Sequence, residues 1–98
     1  MPDYTASVTF AAPTFSRAEF KRLARQLLAM AADAEHVARL TAEPRARILT
    51  GVIQASAPSS SRAQAKAESH ARAMLLRTQY IRRFAVAVHV DLDDDRAV

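Results

Sequence analysis

A ten-residue phrase occurs twice in this chain, as APTFSRAEFK at residues 12–21 and as APSSSRAQAK at residues 57–66. Ala, Pro, Ser, Arg, Ala and Lys recur at a fixed offset of 45 residues, and Glu19 is answered by the chemically similar Gln64. No other feature limits the architecture of a 98-residue chain as tightly. Whatever the first half folds into, the second half is expected to imitate.

The flanks of the phrase say what is being repeated. Residues 4 to 11, YTASVTFA, place Tyr4, Ala6, Val8 and Phe10 on one side and Thr5, Ser7 and Thr9 on the other, the period of a half-buried strand. After Pro13, Ser16 with Glu19 predicts a capping box, each side chain satisfying the other's backbone N–H at a helix start. Phe20, Leu23, Ala24, Leu27, Leu28 and Ala31 then follow helical spacing, which predicts an amphipathic helix over 17–33. In the second copy ILTGVIQA precedes Pro58, Ser61 with Gln64 predicts the matching capping box, and a helix runs to about Thr78. Its stripe is Ala63, Ala67, His70, Ala71, Met74 and Leu75, displaced from the first by 47 rather than 45, so the repeat slips by two residues inside the helix.

Two segments remain. Phe84, Val86, Val88, Val90 and Leu92 alternate with Ala85, Ala87, His89 and Asp91, which predicts a strand. HVARLT predicts a short strand joined to the next by a turn at AEPR. TAEPRARILTGVI also fits a helix with Thr41 as its cap, but Ile48, Leu49, Thr50, Val52 and Ile53 are mostly β-formers, and the repeat requires a strand there. The order is then β-α-β-β-α-β, an α+β chain that resembles the ferredoxin-like superfold in topology over almost its whole length. The resemblance implies a four-stranded antiparallel sheet with both helices on one face and with 4–11 and 48–56 as its central strands. One domain is expected over 1–92, in pseudo-repeats of about 4–47 and 48–92, followed by an acidic tail at 93–98.

Composition narrows the functional classes. The chain has no cysteine, which removes disulfides, thiolate metal sites and cysteine nucleophiles together and makes the cytoplasm the expected compartment. No apolar run approaches 18 residues and no leader pattern is present, so neither membrane spanning nor secretion is expected. The single glycine, Gly51, excludes phosphate-cradling loops that need several. Of 49 hydrophobic residues 22 are alanine, a thin supply for a core, so a second copy is expected to complete it. Residues 1–90 carry 13 Lys and Arg against 6 Asp and Glu, and four aspartates lie in the last eight residues. Twelve of the fourteen basic residues are arginine, a bias shared with the alanine content and therefore weak support for nucleic acid.

The third strand carries large apolar residues at both parities, Ile48 and Val52 on one and Leu49 and Ile53 on the other. One pair must face away from the helices, so these four are the interface candidates, and self-association through the open sheet face is the expected behaviour. Ser16 with Arg17, and Ser61 with Arg62, are anion-binding candidates at the two helix starts; an ordinary cap with a solvated arginine explains the same residues. Arg45, Arg47, Arg82 and Arg83 are the nucleic-acid candidates. Base stacking on the sheet is not expected, because Tyr4 and Phe10 share the Val8 face and the third strand has no aromatic. His89 and Asp91 share a strand face, where Thr5 and Ser7 are expected opposite them; a structural or interface histidine fits as well as acid–base chemistry. The DLDDD tail reads as solvated, and His36 and His70 have no partner at metal-ligand spacing. The expectation is a self-associating binding or assembly module without a cofactor, metal or catalytic set. A nucleic-acid accessory protein is the alternative, and an enzyme with a site near His89 or between subunits comes third.

Overall fold

The computed structural model describes residues 2–78 and 82–92, with Arg83 described in its backbone alone. The elements are β1 (Asp3–Ala11), α1 (Arg17–Asp33), β2 (Val37–Glu43), β3 (Ile48–Ser56), α2 (Ser60–Arg77), a 3-10 turn (Arg83–Ala85) and β4 (Ala87–Leu92). The four strands form one antiparallel open sheet in the order β2-β3-β1-β4. The fold class is α+β. The segment over 41–53 that fits either a helix or strands is a hairpin, with β2 and β3 joined through residues 44–47.

The period-two pattern sets which face of the sheet is buried. Tyr4, Ala6, Val8 and Phe10 of β1 and Leu49, Ile53 and Ala55 of β3 are all below a tenth exposed. With Val86 and Val90 they meet Phe20, Leu23 and Leu27 of α1 and Ala67, Ala71, Met74 and Leu75 of α2, most of them in one apolar cluster. Alanine dominates the α2 stripe, and the bulk of the core comes from Phe20, Phe10 and the leucines. The alternation of β3 thereby settles its parity: Leu49 and Ile53, 0% exposed, lie under the helices, and only Ile48 and Val52 of the four interface candidates face outward.

The two helix starts differ, and here the structure corrects the reading of the second copy. Ser16 caps α1 with the expected box, its hydroxyl accepting from Glu19 N at 3.1 Å while Ser16 N donates to Glu19 Oε1 at 3.0 Å. α2 is capped by Ser59, not Ser61, with Arg62 N donating to Ser59 Oγ at 3.3 Å. Ser61 is already helical, and Gln64 donates to Val90 O at 2.5 Å instead of closing a box. The cause lies in the corners. Ser59 follows Pro58 directly, whereas Thr14 and Phe15 stand between Pro13 and Ser16, and Phe15 is buried as an added anchor. Strands thus repeat at an offset of 45, Asp3–Ala11 against Ile48–Ser56, while helix caps repeat at 43.

A second correction concerns Phe84. It does not open the last strand but lies in the 3-10 turn at 82% exposure. β4 begins at Ala87, which pairs with Ala11, the last residue of β1. Tail residues 93–98, and Tyr80 and Ile81 of the YIRR segment, lie outside the described residues.

Candidate interaction face and the placement of the polar residues

The open side of the sheet is laid out in rows by the strand register. Arg39 pairs with Val52, Val52 with Ser7 and Ser7 with Asp91, giving a row Arg39–Val52–Ser7–Asp91 across all four strands. The next row is Thr41–Thr50–Thr9–His89, and the third is Glu43–Ile48–Ala11–Ala87. None of these twelve side chains is buried, and Ile48 and Val52 are half-buried. A shallow depression of about 320 Å³ lies among Ser7, Thr9, Arg39, Thr41, Thr50 and Val52. No Phe, Tyr or Trp stands in the three rows, and Tyr4 and Phe10 are in the core, so the exposed His89 ring and the Arg39 guanidinium are the planar groups these rows offer to a base.

Gly51 fixes the geometry at the β2 edge. It pairs with Leu40 beside the register shift between Val37 and Arg39, and a Cβ there would stand 2.5 Å from Arg39 O and 2.8 Å from Leu40 Cδ1. The lone glycine of the chain therefore permits close approach of β2 to β3, which keeps Leu40 toward the helices and Arg39 on the open face.

His89 stands opposite Thr9, and Asp91 opposite Ser7, one residue pair along from the expected partners. His89 Nε2 lies 2.9 Å from Asp91 Oδ2, with both side chains about 70% exposed (73% and 70%). The pair stands on the open face with the hydroxyl residues Thr9 and Ser7 opposite it.

Two of the arginine candidates are spent on internal contacts. Arg47 donates from Nε to Phe15 O at 3.0 Å and from Nη1 to Pro44 O at 2.5 Å and Arg45 O at 3.2 Å. Arg82 Nη1 lies 2.8 Å from each Glu19 oxygen, Nη2 lies 3.3 Å from Thr14 Oγ1, and the guanidinium stands 5.0 Å over the Phe15 ring. Arg45, Arg17 and Arg62 are exposed. The side chain of Arg83 lies outside the described residues. Ser16 is occupied as the α1 cap, and Ser61 Oγ lies 3.3 Å from Ser59 Oγ.

Sequence spacing gave no hint of one further pair. His36 at the start of β2 and His70 in α2 stack, with centroids 4.0 Å apart and planes 28° apart. Burial, the neighbouring His36 and Lys66 hold the His70 imidazole below its ordinary value of 6.5. His36 Nε2 is buried without a hydrogen-bond partner among the described residues. The two are 34 residues apart, and only the fold brings them together.

No family model, curated protein or solved structure matches the chain. No helix among the described residues is long and apolar enough to cross a membrane.

Proposed function

We propose that the chain is a single ferredoxin-like βαββαβ module over residues 1–92, built of two related halves, and that it acts as a non-catalytic binding or assembly unit by pairing with a second copy. The sheet order β2-β3-β1-β4 with both helix stripes in one core supports the topology. The observation that carries the pairing is the composition of the three rows on the open face.

Lay one sheet over another about a two-fold axis parallel to the strands. Each row then meets itself reversed, with the β2 edge over the partner's β4 edge. In the first row a cation, Arg39, meets a carboxylate, Asp91, and the branched Val52 meets the small Ser7. In the third row Ile48 meets Ala11, and in the middle row Thr50 meets Thr9. Large opposes small and positive opposes negative under one operation, which is the self-complementarity an isologous interface needs. Aligned sheets pack about 30° apart and roughly 10 Å face to face, and an arginine side chain accommodates the resulting offset at the rim.

Four strands at about 4.8 Å spacing and some seven residues of length give a footprint on the order of 500 Å² per copy. The total, on the order of 1,000 Å², is at the small end of specific interfaces, so the dimer should be concentration-dependent. Val52→Asp tests the face without touching the core, since Val52 is half-exposed. The expected result, by light scattering over a dilution series, is a monomer at concentrations where the parent is dimeric, with unchanged circular dichroism. A parent that is monomeric at every concentration, or a variant as dimeric as the parent, contradicts the reading. Co-purifying nucleic acid that leaves at high salt would point instead to the arginine surface.

A further inference from the structure

The hairpin tip and the first two turns of α1 border a shallow, open cleft of about 640 Å³. Its walls carry Arg17 and Lys21 on the helix side and Arg45 on the hairpin side, and Ala42, Pro44 and Ala46 make it apolar between them. Glu43 is the single acid in the lining. An apolar lining with a few charged groups is the usual composition of a small-molecule site.

The two walls are held in fixed relation. Ala12 N donates to Arg47 O at 2.9 Å, and the Arg47 side chain reaches Phe15 O, so the hairpin tip is tied to the segment that leads into α1. Arg47 adopts φ 56° to do so, a conformation that favours glycine, yet an arginine stands there and its side chain makes the clasp. None of the three lining cations has an ion-pair partner among the described residues. Three like charges are thus brought to one apolar hollow, with Glu43 the acid among its described lining residues.

We propose that this cleft binds a small organic phosphate, a phosphomonoester dianion on an apolar body. A monoester carries about −1.5 to −2 charge at neutral pH, which matches three cations less one carboxylate. Its three terminal oxygens suit several donors from the two walls, and guanidinium forks are well shaped for them. The apolar body covers Ala42, Pro44 and Ala46. A polymer would instead follow the basic row along α1, from Arg17 and Lys21 on to Arg25, which lies outside the cleft lining. The site meets the open sheet face only at Glu43, the β2 end of the third row, while Arg17, Lys21 and Ala42 lie on the helix side of the sheet.

The test is a ¹⁵N-resolved NMR titration of the full chain with phenyl phosphate, with inorganic phosphate and with a single-stranded RNA. The proposal expects saturable phenyl phosphate shifts confined to residues 17–21 and 42–46, with inorganic phosphate weaker by about tenfold for want of the apolar contact. Arg17→Ala and Arg45→Ala, both at exposed positions, should each weaken phenyl phosphate by about tenfold or more, while Arg25→Ala leaves it unchanged. Shifts that never saturate, or equal binding of phenyl and inorganic phosphate, would overturn the proposal. Loss of binding in Arg25→Ala as large as in Arg45→Ala, with tighter binding of RNA, would overturn it in favour of a polymer.

Discussion

Arg47 holds its backbone at φ 56°, and a left-handed non-glycine residue costs on the order of 1 kcal/mol. Its side chain offsets that cost with three bonds to carbonyl oxygens. Arg47→Ala keeps the strain and loses the bonds, so it should destabilise the fold by about 2 kcal/mol in urea denaturation. Arg47→Gly loses the same bonds but relieves the backbone, and should be milder by about 1 kcal/mol. Gly51→Ala should cost about 1–3 kcal/mol, because the new methyl meets backbone oxygen, which cannot swing aside. At His70 the folded state favours the neutral imidazole, since its value is lowered. The unfolded chain therefore binds the proton more readily, and the stability contributed by this group is complete above 6.5, the ordinary value, and declines as pH falls below it. Denaturation midpoints at pH 7.5 and pH 5 should fall more in the parent than in His70→Gln, which removes the titrating group; equal falls would mean that this stacked pair does not govern the acid limb.

At the scale of elements, the helix caps separate what was legible in the sequence from what was not. β1, α1 and the Ser16–Glu19 box could be read directly, because each depends on neighbours within a few residues. The cap of α2 could not, since Ser59, Ser60 and Ser61 are equally good residues for it and the choice falls to the corner at Pro58 and to the reach of Gln64 for Val90 O. Ser59→Ala should cost about 1 kcal/mol and Ser61→Ala only a few tenths, a contrast that thermal denaturation resolves and that the reverse result would refute. Tertiary partners were equally hidden. Arg82 reads as a surface cation, yet it joins the segment before β4 to Glu19 and Thr14, 63 and 68 residues away. With side chains 40% and 27% exposed, that bridge contributes at most about 1 kcal/mol. The parity of β3 also needed the fold. Its sequence offers two apolar pairs, and only packing against α1 and α2 assigns Leu49 and Ile53 to the interior.

For the molecule as a whole, the face opposite the helices depends on residues brought together from all four strands. Arg39 and Asp91 illustrate this: they share a row but stand on opposite edges of the sheet, three strand spacings or about 14 Å apart. Within one chain they are too far apart to pair, whereas across the proposed two-fold axis they meet. The most direct measurement is therefore a charge-reversal cycle on dimer affinity by sedimentation equilibrium, comparing the parent with Arg39→Asp, Asp91→Arg and the double variant. Each single reversal should weaken the dimer by about tenfold or more, and the double reversal should restore it, because the exchanged charges again meet their opposites. If the two reversals are simply additive, or if neither changes the association, the copies do not pair through the rows of this face.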